Sequence, residues 1–182
     1  MTIKFIREKY RNGCKILRNN KKTLRNNESI ILSDPETKQK QKYKAKVTII
    51  ALTKSYIITA DGGIFPKNQG DKRADFIAYT NKNLYIIELK GKAGVESAYD
   101  QILSTIKTIL HSDDFGFLIK NRDKTIACIA GQVRLGPRVR SNEKELARIL
   151  KNHSKEKQKN ILDLIIYSYK TEHKLYLDKL DK

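Results

Sequence analysis

The segment Ile126-Ala127-Cys128-Ile129-Ala130 has no polar face. A near-continuous apolar run of this length is the pattern of a strand covered on both sides. Ahead of it, Gly94 to His111 sets Val95, Ala98, Tyr99, Ile102, Ile106, Ile109 and Leu110 on one wide stripe, which predicts an amphipathic helix. Further upstream, Arg73–Tyr79 and Leu84–Lys90 read as two strands joined by Asn81-Lys82-Asn83, an antiparallel hairpin. Val47–Leu52 and Ser55–Ala60 are β-branched runs that predict two more strands. A shorter run, Ser29-Ile30-Ile31-Leu32, ends at the turn signal Asp34-Pro35. Strands and a long helix in this order define an α/β chain, and 182 residues suit one domain with its own core.

The two ends read as additions to a core of about 40–130. Ile3, Ile6, Tyr10, Cys14 and Leu17 recur at helical spacing and predict a basic helix over 2–19, interrupted at Gly13. Asn142 with Glu145 three residues later starts a helix carrying Leu146, Ile149 and Leu150. Residues 161–169 and 174–180 are expected to close the chain as a hairpin, so that helix and hairpin span 142–180.

Charge narrows the partners. There are 38 Lys and Arg against 20 Asp and Glu, a net charge of +18. Such a field attracts polyanions, and nucleic acid is the expected partner. A membrane is not: no apolar run approaches the ~20 residues of a spanning helix, and residues 1–7 lack the apolar stretch of a secretory signal. Cys14 and Cys128 form no disulfide framework and read as packing residues, so a reducing cytoplasm is the expected compartment. Lys38, Lys40, Lys42, Lys44 and Lys46 alternate with other residues. On an extended chain they would share one face at a spacing of ~6.6 Å, near that of backbone phosphates. The same pattern also fits a solvated edge strand protected by its lysines.

The chemistry concentrates in Lys72-Arg73-Ala74-Asp75 and in Glu88-Leu89-Lys90. On a strand Glu88 and Lys90 project from one face, and the hairpin returns Asp75 to the same end. Buried carboxylates held together repel each other unless a cation lies between them. Mg²⁺ or Mn²⁺ meets that need, since such an ion takes a few carboxylate oxygens and keeps waters. Lys90 adds a positive or proton-transferring group beside the phosphate. Glu-x-Lys also occurs at Glu36-Thr37-Lys38 and Glu172-His173-Lys174, but neither ends an apolar strand. A plain cross-strand ion pair would use the same three residues and, if solvated, would be worth little.

The pattern Asp75 … Glu88-Leu89-Lys90 resembles the PD-(D/E)xK nuclease superfamily over roughly residues 55–130. The resemblance implies a restriction-endonuclease-like fold, a mixed central sheet flanked by helices. It implies Asp75 and Glu88 as metal ligands, the Leu89 carbonyl as a further ligand, and Lys90 as the catalytic lysine. Gln101 matches the polar residue that many members carry on the following helix. An upstream acidic ligand would be Glu8 or Glu28. One departure is Ala74, where the family pattern has Pro. DNA is favoured over RNA on the same ground, with endonucleolytic cutting and a homodimer for duplex cleavage.

Other chemistries find little support. His111, His153 and His173 lack zinc-ligand spacing. No Gly-rich phosphate loop is present, and Asp61-Gly62-Gly63 reads as a turn. Lys72, Arg73, Lys92, Arg134, Arg138 and Arg140 complete the expected phosphate contacts, the last three in a Gly-Pro loop. The rival readings are a non-catalytic basic nucleic-acid-binding protein, an RNA-cleaving nuclease of the same fold, and a basic assembly protein on RNA.

Overall fold

The structure, a computed structural model, describes residues 6, 8–10, 14–17, 29–33, 46–66, 72–90, 95–120, 122–131, 144, 148, 161–167 and 173–178. The elements with described bounds follow in the order β1 (Cys14–Leu17), β2 (Ser29–Ser33), β3 (Lys46–Ala51), β4 (Ser55–Thr59), β5 (Phe76–Tyr79), β6 (Asn83–Lys90), α1 (Val95–His111), α2 (Phe117–Lys120), β7 (Lys124–Gly131), β8 (Ile161–Tyr167) and β9 (His173–Leu177). The class is mixed α/β.

Six strands form one sheet in the order β1-β4-β5-β6-β7-β8. The β1–β4, β4–β5 and β5–β6 pairs are antiparallel, while β6–β7 and β7–β8 are parallel. A parallel neighbour cannot follow by a tight turn, so the chain crosses through α1 and α2 between β6 and β7. The remaining strands form a second sheet, β2-β3-β9, in which β2 runs antiparallel and β9 parallel to β3.

Side-chain alternation assigns the layers. On β6, Leu84 and Ile86 join Ala98, Tyr99, Ile102, Ile106 and Ile109 of α1 in one core. Tyr85, Ile87 and Leu89 point the other way, into a second core with Val47, Ile49, Ala51, Leu175 and Leu177 of the small sheet. The large sheet thus lies between a helix and a sheet, and both faces of β6 and β7 are buried. This is why their sequences read as near-continuous apolar runs. By contrast β3 alternates, with Val47, Ile49 and Ala51 buried and Lys46 exposed.

Several expectations need correction. Cys14–Leu17 is a strand paired with β4 rather than the end of a helix. Helical backbone is seen at Ile6, Glu8 and Lys9, and Ile6 is buried in the helix-side core. Strands β8 and β9 do not form a hairpin, because β8 extends the large sheet and β9 the small one. The described residues cover one face of the large sheet with a helix and the other with a second sheet, where helices were expected to flank it. Lys46 opens a strand with neighbours on both sides, so in β3 it does not lie on an edge. Of the expected helix from 142, only Lys144 and Arg148 are described, both helical. No helix among the described residues is long and apolar enough to cross a membrane.

Candidate active site

The site forms where the β5–β6 ladder ends. The last paired residues are Phe76 and Ile87. One step further, Asp75 and Glu88 hydrogen-bond each other's strands through their side chains. The Asp75 N–H donates to Glu88 Oε2 at 3.1 Å, and the Leu89 N–H donates to Asp75 Oδ2 at 2.9 Å. Each carboxylate is therefore held by a backbone amide, which fixes its position without a flexible partner. Asp75 is 7% exposed and Glu88 is 1% exposed. Both lie on the helix side of the sheet, in line with Ile77 on β5 and Ile86 on β6.

Lys90 stands two residues beyond Glu88 on the same face. Its Nζ lies 2.7 Å from Glu88 Oε1 and also donates to Gln101 Oε1. Gln101 comes from α1, and its Nε2 donates to the Arg73 carbonyl at 2.8 Å. One amide thus connects the lysine to the residue pair that precedes Asp75. Gly131 ends β7 opposite Lys90. A Cβ there would fall 1.7 Å from the Lys90 carbonyl oxygen, so only glycine admits this approach.

Burial dominates the electrostatics. The Glu88 carboxyl is pushed up to about 8 by burial first, and then by the nearby Asp75 charge. Lys90 opposes this through its charge and hydrogen bond, yet does not outweigh it.

The structure brings Asp75, Glu88, Lys90 and Gln101 into one hydrogen-bonded cluster. Leu89 takes part through its backbone N–H, while its side chain packs in the opposite core. Arg73 is placed differently from an exposed phosphate contact. It is 8% exposed, its guanidinium lies 5.6 Å from the centre of the Phe65 ring, and it donates to Ser104 Oγ and to the Lys72 carbonyl. Lys72 and Lys46 are exposed, as is Glu8. Lys38, Lys40, Lys42, Lys44, Glu28, Lys92, Arg134, Arg138 and Arg140 lie outside the described residues.

Sequence reasoning missed the row on α1 that faces Arg73 and Ala74, the residues before Asp75. Thr105 Oγ1 accepts the Ala74 N–H at 2.8 Å and donates to the Gln101 carbonyl at 2.8 Å. Ser97 Oγ lies 3.5 Å from Gln101 Oε1. The available signal was spacing: Ser97, Gln101, Ser104 and Thr105 recur at helical intervals beside the apolar stripe.

The donor set suits a hard divalent cation. Two carboxylates with oxygen donors are buried side by side, and the charge of one raises the proton affinity of the other. A cation would relieve that repulsion. Among the described residues no group of three or more His, Cys, Asp or Glu is placed to hold a metal. Two carboxylates supply only part of the oxygen shell that a Mg²⁺ ion takes. Comparison with protein-family models, curated proteins and solved structures found no match to this chain.

Proposed function

We propose that the chain is a metal-dependent nuclease of restriction-endonuclease-like architecture, acting on DNA in preference to RNA. The observation that carries this reading is the pairing of buried Asp75 and Glu88 at a strand end, with Lys90 on the same face. A solvated surface pair would need no such burial, and a buried ion pair is by itself poor support for stability. A basic protein that merely bound phosphates would gain nothing from acids at such a place.

In this reading Asp75 and Glu88 hold Mg²⁺ or Mn²⁺, with the Leu89 carbonyl as a further oxygen. The bound ion would lower the pKa of a water and offset phosphate charge. The backbone amides of Asp75 and Leu89 keep both carboxylates in place. Lys90, held by Glu88 Oε1 and Gln101 Oε1, would supply a positive charge to offset that of the scissile phosphate. Gln101 sets the reach of the lysine by anchoring to the Arg73 carbonyl. The surplus of lysine and arginine raises the local concentration of nucleic acid.

The test is incubation of supercoiled plasmid, and separately of RNA, with Mg²⁺, Mn²⁺ or chelator. Wild-type protein is expected to nick or cut DNA only with metal. Lys90→Ala should lower cleavage by at least ~10²-fold, as when a transition-state charge contact is removed, while binding is retained. Equal cleavage by both proteins, or cleavage in chelator, would contradict the proposal.

A further inference from the structure

The three-stranded sheet covers the far side of the molecule from α1, and its outer face has a definite composition. Ser29, Ile31 and Ser33 of β2, Lys46, Thr48 and Ile50 of β3, and Lys174 and Tyr176 of β9 alternate with the inward-facing residues. Ile31 is 64% exposed and is the one large apolar side chain so exposed among the described residues. Thr48, Ile50 and Tyr176 are half-buried, while Lys46 and Lys174 are exposed. The described outward residues include two lysines and no acid. Asp178, just past the end of β9, directs its carboxylate to Thr53, Thr80 and Asn83.

We propose that this face is a second nucleic-acid contact that takes single-stranded chains. An apolar and aromatic floor flanked by ammonium groups matches unstacked bases and their phosphates, whereas duplex DNA offers mainly phosphate to a flat surface. Lys174 pairs with Thr48, so it stands one strand across and two residues along from Lys46. Sheet geometry then puts their Cα atoms roughly 8 Å apart, close to the span between neighbouring phosphates. The buried carboxylates lie on the other side of the large sheet, so this contact is separate from the candidate active site. It stands whether or not that site is catalytic.

The test measures anisotropy of a labelled oligothymidylate with the full chain in chelator, so that no cleavage intervenes. Lys46→Ala with Lys174→Ala should weaken binding about tenfold and reduce the salt slope by about 1.4, the value for two single-strand phosphate contacts. Tyr176→Leu should weaken binding without changing the slope. Lys54→Ala with Lys82→Ala, both exposed and elsewhere, should change affinity less than about twofold. Photocrosslinking of a thiothymidine strand to wild-type protein should mark β2, β3 or β9, and needs no variant to fold. The proposal is overturned if both lysine pairs lose binding equally, or if duplex DNA responds as the single strand does. It is also overturned if crosslinks fall elsewhere. Failure of the plasmid assay leaves all these outcomes unaffected.

Discussion

At the scale of single residues, Glu88 couples stability to pH. Its ordinary value is 4.5, and in the folded protein its carboxyl holds a proton up to about 8. The native state therefore binds more protons than the unfolded chain between those values. The stabilisation it provides is complete below pH 4.5 and is lost as pH rises through 8. Urea titrations of wild-type protein and Glu88→Gln from pH 4 to 9 should show this as a slope present only in wild type. Parallel pH profiles would contradict the environment assigned to Glu88. A second residue, Asp178, adopts φ 65°, which favours glycine or asparagine. Its carboxylate accepts Thr53 Oγ1 at 2.6 Å, Thr80 Oγ1 at 2.8 Å and Asn83 Nδ2 at 3.1 Å, and its N–H donates to Tyr85 Oη at 2.7 Å. Asp178→Ala loses these acceptors and adds backbone strain, at a cost of about 2–4 kcal/mol. Asp178→Asn should cost less, since it keeps the local conformation and an acceptor oxygen. Equal melting of the alanine variant and wild type would show that the cluster holds nothing together.

At the scale of elements, α1 sets the register of the site. Thr105, fully buried, bonds the N–H of Ala74 and so places the residue before Asp75 against the helix. Thr105→Val keeps the shape but leaves that amide without its partner, and is expected to cost about 1–3 kcal/mol. Thr105→Ser should recover most of the loss in thermal melting, and no loss in the valine variant would rule out this role. The β5–β6 hairpin was legible in sequence because its turn, periodicity and terminal charges are all local. The helix was legible for the same reason, its apolar stripe being continuous from Val95 to Leu110. Cys14–Leu17 misled because Cys14 and Leu17 continue a helical spacing begun at Ile3, and only pairing with β4 reveals a strand. The separation of β8 from β9 was equally hidden, since their partners β7 and β3 are remote in sequence. Arg73 read as a surface cation because nothing local announces Phe65 and Ser104 as its neighbours.

At the scale of the whole molecule, two cores enclose one sheet, and the charged cluster sits where the helix-side core ends at the tip of β6. The second sheet was not foreseen, because β2, β3 and β9 are brought together only by tertiary pairing. Its cover on β6 keeps Tyr85, Ile87 and Leu89 from water and stiffens the strand that carries Glu88 and Lys90. In the proposed nuclease Asp75 and Glu88 together grip one divalent cation. Mn²⁺ titration followed by electron paramagnetic resonance tests it without reference to any reaction. Wild-type protein should bind Mn²⁺ at a site that is lost in both Asp75→Asn and Glu88→Gln, with the fold of each verified by circular dichroism. Undiminished Mn²⁺ binding by the folded variants, or none by wild type, would contradict the account.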